Sequence, residues 1–461
     1  MMQAWVEAEL ATANLGDSRR NKRLRILVDQ VSQHPEGSLN QACPTPADKK
    51  AAYRFFANEH VEAEAIRKAH EDSTWRRIGS YARVLIVQDT SSLSYTGHEK
   101  IAGLGPLDDS LGQGFLLHSG LAVTQQGEPL GLAHQEIWVR EEAEKGQSEQ
   151  RRERVWQEKE SYKWQRTVET VCERCKEGQP FIVIGDRESD VYGLLASSRP
   201  EGVDLLVRSA QNRLVEETTK YLHTALRKAP LAGKVVVEVS RTGARACRQA
   251  TCEVRYQAMT LRPPRHGDKG VPKVAVKVWA VSVEEKPSPK GERGIHWILL
   301  ATWPVEDLEG AVQVAKFYSL RWLVERYHFV LKSGCRLEEA ELREQVRLER
   351  LQAVYTIVAW RLLSITYQAR CQPESSCEPT FTRLEWQLLY AFHHRHPYPE
   401  GQQPPTIKEA VRWLGKLGGF WGRKGDGPPG VKVLWRGLIR LYSLVEGYHL
   451  SSVLPATPRC G

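Results

Sequence analysis

Val84-Leu-Ile-Val-Gln-Asp89 is a short apolar run of strand type that ends in a carboxylate. The text before it, residues 1 to 75, reads as helix. A second run of the same kind, Phe181-Ile-Val-Ile-Gly-Asp186, lies further along. Between the two, Gly120-Leu-Ala-Val-Thr124 and Pro129 to Val139 have strand composition, and a charged helical stretch fills about 143 to 176. A short helix at Val191 to Ala196 and a strand at Val203 to Val207 follow. The order β-β-β-α-β-α-β predicts an α/β fold with a sheet of mixed direction flanked by helices. In such sheets a carboxylate at a strand end stands at the rim, where ligands bind, on a rigid support.

The rest of the chain frames this core. Asp17-Ser18 predicts a helix start, with Arg19, Arg20, Lys22, Arg23 and Arg25 in its first turns and Leu24, Ile26, Leu27 and Val31 on its other side. Helices are also expected around Pro46 to Asn58, with Thr45 as cap, and Val61 to Ile78. Residues 213 to 305 switch to β-rich text separated by Pro/Gly loops, which reads as an inserted β-domain. Helices are expected again from Val305 to about Gln368. A polar linker follows, then helices at 381 to 395, 406 to 418 and 431 to 447.

Composition excludes several classes. At 461 residues, 41% apolar and 26% charged, the chain suits a soluble protein of several domains. Its most apolar run, Ala353 to Tyr367, is cut by Arg361, so a buried helix is expected rather than a membrane span. The first residues lack the basic-then-apolar order of a signal peptide, so a cytoplasmic protein is expected. Nine scattered cysteines include one C-x-x-C, Cys172 and Cys175, with no second pair for a zinc site. The net charge is +9 and is unevenly spread. Residues 211 to 305 hold 17 Lys/Arg against eight Asp/Glu, and residues 401 to 461 hold nine against three. Basic blocks beside an acidic remainder suit a polyanionic partner, nucleic acid above all.

One further stretch carries chemistry: Tyr318-Ser-Leu-Arg321-Trp-Leu-Val-Glu325-Arg-Tyr-His-Phe-Val-Leu-Lys332. On one α-helix, at about 100° per residue, Tyr318, Arg321, Glu325 and Lys332 would fall within roughly 60° of arc. Glu325 then adds a third carboxylate to Asp89 and Asp186. Three carboxylates from three elements suffice to hold two Mg²⁺ or Mn²⁺ ions, the arrangement for in-line attack on phosphorus. Taken singly, a strand-end Asp is more often a turn cap and a polar helical row more often a solvated face. Together they favour a metal-dependent phosphodiester enzyme.

The spacing Tyr318-x₂-Arg321-x₃-Glu325-x₆-Lys332 resembles the Y-R-E-K signature of the insertion-sequence-four family of bacterial cut-and-paste transposases. Further segments are similar in the same order: Leu15 to Leu24, Ala52-Tyr-Arg-Phe-Phe56, Ala63 to Lys68, Asp89 to Tyr95, Gly131-Leu-Ala-His-Gln-Glu136, Gly185-Asp-Arg-Glu-Ser-Asp190 and Leu417-Gly-Gly-Phe420. The resemblance covers nearly the whole chain. It implies a helical DNA-end-binding domain at 1–75. A ribonuclease-H-like catalytic domain follows at 76–370, with its β-rich insertion at about 213–305, and then a helical dimerisation domain at 371–461.

It further implies that Asp89, Asp186 and Glu325 are catalytic metal ligands, with two Mg²⁺ per site and Mn²⁺ able to substitute. Tyr318, Arg321 and Lys332 would hold the transposon end, with Arg208 nearby and Trp297 stacking on a flipped base. Arg19, Arg20 and Arg23, helped by Arg54 and Lys68, would recognise the end. The implied activity is nicking, hairpin formation, hairpin opening and strand transfer by a homodimer acting on double-stranded DNA of the nucleoid. The rivals are a catalytically silent DNA-binding regulator, a nuclease of the same fold that never joins strands, and a metal-dependent phosphatase. The intact carboxylates weigh against the first, Trp297 and the polar row against the second, and the basic insertion against the third.

Overall fold

A computed structural model describes residues 2–97, 101–107, 112–141, 153–217, 221–239, 248–287, 289, 291, 294–423 and 425–453. Part of the charged stretch expected at 143 to 176 lies outside these residues. Its described remainder forms two short 3₁₀ turns and then the helix α6 named below.

The N-terminal helices are α1 (Ala4–Glu9), α2 (Ser18–Gln33), α3 (Leu39–Ala42), α4 (Pro46–Ala57) and α5 (Ala63–Ile78). The expected caps are in place: Asp17 accepts from the Arg19 amide, and Thr45 accepts from the Asp48 amide ahead of Pro46. In α2 the apolar Leu24, Leu27, Val28 and Val31 are buried, which turns its arginines outward.

The sheet begins with β1 (Val84–Ser94), β2 (Gly105–Pro106), β3 (Gln113–Thr124) and β4 (Pro129–Trp138). After α6 (Lys163–Arg174) come β5 (Phe181–Gly185), α7 (Tyr192–Ala196), β6 (Val203–Arg208) and α8 (Leu222–Lys228). The last strands are β7 (Gly233–Val239), β8 (Arg248–Leu261), β9 (Val276–Glu285) and β10 (His296–Ala301). Strand β1 runs parallel to β5 and antiparallel to β3, and β5 runs parallel to β6. The sheet is therefore of mixed direction, as its strand order predicts. Val84 to Gln88 and all of β5 are buried, which is why both read as continuous apolar runs. Strands β7 to β10 do not form a separate sheet. Strand β10 pairs with β6, so they extend the core into one ten-stranded sheet with the order β2-β3-β1-β5-β6-β10-β9-β8-β7 and β4 against β3.

The chain then returns across the core in α9 (Leu308–Ser319), α10 (Trp322–Phe329), a π-helical turn (Val330–Gly334) and the 27-residue α11 (Gln345–Cys371). Helix α11 contains the most apolar run of the sequence. It packs between N-terminal helices, β4 and the C-terminal helices, so nearly all its sides are buried. Arg361 interrupts the run to donate to the Thr380 carbonyl at 2.6 Å and to cover the Trp5 ring. Among the described residues, no helix is long and apolar enough to cross a membrane.

The C-terminal helices are α12 (Arg383–His394), α13 (Ile407–Leu417) and α14 (Val431–Val453). Thr382/Glu385 and Thr406/Glu409 form capping boxes at the starts of α12 and α13. The Leu417-Gly-Gly-Phe420 segment lets α13 and α14 approach closely, because a Cβ at Gly418 would lie 1.9 Å from the Val433 carbonyl oxygen.

Candidate active site and DNA-binding groove

The site is assembled where β5 stops and β1 does not. Asp89 is not the last residue of its strand, as the apolar run suggested. β1 continues to Ser94 along β3, while its pairing with β5 ends at Val87. Asp89 therefore stands two residues beyond the shared segment, opposite Ser119 of β3. Asp186 follows β5 directly, in a turn that needs Gly185, since a Cβ there would lie 2.2 Å from the Ser189 hydroxyl. The turn is closed by the Glu188 amide donating to Asp186 Oδ1 at 2.8 Å and by Ser189 Oγ donating to the Asp186 carbonyl at 2.7 Å. Asp190, in the same motif, is buried and has a supporting role. It accepts from the Ala210 and Gln211 amides at 2.7 Å and pairs with Arg213.

The segment Tyr318 to Lys332 is not one helix. Tyr318 belongs to the end of α9, and the turn at Leu320–Arg321 is closed by tighter bonds, such as the Arg321 amide to the Tyr318 carbonyl. Such i→i+3 turns eclipse residues three apart, so Tyr318 and Arg321 still share a face. Glu325 lies one turn into α10. Lys332 sits in the π-helical turn, closed by the Cys335 amide to the Val330 carbonyl, a distortion frequent at functional sites. This re-aims Lys332 towards the far end of β1, where it donates to the Ser92 carbonyl at 2.7 Å and pairs with Glu338 at 3.3 Å.

Arg321 links the carboxylates. Its guanidinium is hydrogen-bonded to Glu325 and lies 3.9 Å from Asp89 Oδ2. The Asp89 carboxyl is pushed up to about 7, raised by burial and by the negative charges of Asp186 and Glu325 against the pull of Arg321. Burial works against the charge on Arg321, but Tyr318, Glu325 and Asp89 outweigh it and hold the group firmly protonated. His328 stands behind Asp89, its Nδ1 3.9 Å from Oδ2, and burial holds it neutral, its pKa lowered to about 3. Among the described residues, no three His, Cys, Asp or Glu side chains stand close enough together to hold a metal ion. Glu325 and Asp89 instead both face Arg321. The donors are hard carboxylate oxygens with more negative charge than one guanidinium offsets, and that chemistry fits Mg²⁺ or Mn²⁺.

Tyr318, Arg208 and Trp297 form the rim. The Tyr318 and Trp297 rings meet edge to face at 5.0 Å. The Tyr318 hydroxyl is shielded from water and makes no hydrogen bond of normal geometry, although the Arg208 guanidinium stands beside it. Burial raises its pKa. Arg208, at the end of β6, donates to the His296 carbonyl at 3.1 Å.

A second feature lies between α2 and α4. Arg19, Arg20, Arg23, Lys50 and Arg54 line an open groove of about 550 Å³. Arg20 is partly spent on the Leu15 carbonyl at 2.7 Å, and Arg23 on Asp48 at 3.3 Å. Lys68 is exposed on α5 and does not line this groove. Sequence reasoning missed Lys50, which is one helical turn before Arg54. It also assigned nothing to His328, although its place three residues after Glu325 puts it one turn along α10.

Comparison with known families matches both ends of the chain. Residues 2–61 match the transposase DNA-binding family, and residues 357–456 match the transposase Tn5 dimerisation domain. With a mixed α/β core between these two domains, the chain is a DNA transposase. The two matches support a Tn5-like transposase and place the groove of α2 and α4 inside a DNA-binding domain and α12 to α14 inside a dimerisation domain.

Proposed function

We propose that the chain excises a transposon and joins it to target DNA at the site formed by Asp89, Asp186 and Glu325. The observation that carries this reading is Arg321 held between Asp89 and Glu325, with Asp186 near enough for its charge to act on Asp89, beside Tyr318 and Arg208, in a chain flanked by DNA-binding and dimerisation domains. Asp89, Asp186 and Glu325 would hold two divalent cations, which supply Lewis-acid activation of the attacking oxygen and stabilise the leaving oxygen.

The chain's own groups hold the DNA. Arg321 exchanges Glu325 for a phosphate oxygen, a bidentate partner of the same geometry. Tyr318 donates its hydroxyl proton to the same phosphate, and Arg208 and Lys332 neutralise its neighbours. Water attacks one strand and leaves a 3′-hydroxyl. That hydroxyl attacks the opposite strand and closes a hairpin on the transposon end. A base flipped out of the hairpin stacks on Trp297, which offsets ~1–3 kcal/mol of lost stacking. Water reopens the hairpin, and the freed 3′-hydroxyl attacks target DNA. Arg19, Arg20, Arg23, Lys50 and Arg54 bind the end, and two subunits pair two ends.

The test is a labelled duplex carrying the terminal inverted repeats that flank the coding sequence, paired by the protein in Mg²⁺. A hairpin product followed by strand transfer is expected. Cleavage with no joining would favour a nuclease, and end binding with no cleavage a silent regulator.

A further inference from the structure

The motif Gly131-Leu-Ala-His-Gln-Glu136 has no part in the chemistry so far, yet Gln135 heads a buried chain of hydrogen bonds that ends at His328, the residue behind Asp89. Gln135 Oε1 accepts from Gln352 Nε2 at 3.0 Å and from Thr356 Oγ1 at 2.9 Å. Its Nε2 donates to the Tyr327 hydroxyl at 3.0 Å and to Ser119 Oγ at 3.1 Å. Tyr327 in turn donates to Thr356 at 3.1 Å. Ser119 Oγ has one further partner among the described residues, His328 Nε2 at 3.2 Å. The serine accepts from Gln135, and giving its single hydrogen to His328 Nε2 satisfies both groups. The imidazole proton then stands on Nδ1, the atom that faces Asp89.

The opposite tautomer would need Ser119 to accept twice and leave its own buried hydroxyl hydrogen unpaired, or both amides to be turned over. Turning the amides over would leave the buried amide of Gln352, rather than its carbonyl, without a partner, and unpaired buried donors are the rarer case. It would also turn the Nδ1 lone pair towards a carboxylate. Both costs favour the first direction.

We infer that Gln135, Ser119 and His328 are positioning residues that present an N–H dipole to Asp89 from behind. At 3.9 Å the contact is not a hydrogen bond; the dipole biases the carboxylate's orientation. Five elements contribute: β1, β3, β4, α10 and α11. The active-site strand is thereby coupled to the central helix of the core. The inference rests on the reading of Asp89 as a catalytic ligand, but its structural part can be tested without metal or DNA.

The full chain labelled with ¹⁵N-histidine, with His328 assigned from the His328→Asn spectrum, gives the tautomer by long-range proton–nitrogen correlation. A proton on Nδ1 is expected, with a shift towards the Nε2–H form in Ser119→Ala. A proton on Nε2 in the native chain would overturn the inference. In cleavage of the terminal-repeat duplex, His328→Leu should cut ~10–100-fold more slowly at unchanged end affinity. His328→Asn, which keeps an N–H near the Nδ1 position, should recover most of the rate. If His328→Leu cuts at the native rate while Asp89→Asn does not cut, the positioning role falls and the site assignment stands. If Asp89→Asn also cuts at the native rate, the assignment falls with it.

Discussion

The Arg321 guanidinium is hydrogen-bonded to the Glu325 carboxylate one helical turn further along the chain. It also reaches towards Asp89, so one fixed cation offsets the charge of the carboxylate cluster. Removing it leaves buried negative charge uncompensated. Arg321→Ala should therefore be about 1–3 kcal/mol less stable in EDTA. Mn²⁺ should restore more stability to this variant than to the native chain, since binding to the folded state stabilises by mass action. Thermal melts with and without Mn²⁺ check both points. Equal gains in the two proteins would remove Arg321 from the cation's place.

Trp297 touches Tyr318 through its ring edge rather than lying deep in the core. Trp297→Ala should nick the first strand at near the native rate but lose ~1–3 kcal/mol at the hairpin stage, about 5–150-fold in hairpin yield. Trp297→Phe should recover part of it. Product analysis on denaturing gels separates the nick from the hairpin. An equal loss at both stages would make Trp297 a packing residue.

The basic groove gives a prediction in salt. Arg54→Ala should weaken binding of all duplexes alike and reduce the slope of log affinity against log salt by about 1, as expected for a lost phosphate contact. Arg20→Ala, which also loses its bond to the Leu15 carbonyl, should lower stability as well. Fluorescence anisotropy over a salt series and a melting curve check the pair.

Acid should loosen the attachment of the first helix. Burial raises the Glu9 carboxyl, but contacts with His70 and Arg77 outweigh it and bring its pKa down to about 2. His70 is itself shifted down by its complete burial, so the depression is best credited to Arg77, which is charged throughout. A carboxyl held below its unfolded value contributes stability that is full above about pH 4.5 and is lost as pH falls towards 2. Glu9→Gln should cost on the order of 3 kcal/mol at pH 7, and the gap to the native chain should close through that acidic window. Unfolding curves at pH 7 and pH 3 measure it.

Much of this was legible in the sequence because it depends on local pattern. The apolar runs at Val84 and Phe181 are buried central strands, and the caps at Asp17 and Thr45 work through neighbouring amides. What escaped depends on partners far apart in the chain. The end of β1 is fixed by β3, not by its own apolar residues, so Asp89 looked terminal. The turn at Leu320–Arg321 and the π-helical turn at Val330–Gly334 break a row that helical spacing made continuous. The insertion strands are alternating and basic like a separate domain, yet the backbone edge of β6 recruits them into the core sheet. The chain from Gln352 to His328 joins residues up to 221 positions apart, as in the bond from Thr356 to Gln135, and no periodicity marks it.

The central claim is that Asp89, Asp186 and Glu325 act together on DNA. It is tested most directly by Glu325→Ala, with end binding and cleavage of the terminal-repeat duplex measured on one preparation in Mg²⁺. End affinity close to native, with no nick, hairpin or joined product, is the predicted result. Cleavage by Glu325→Ala at the native rate would contradict it.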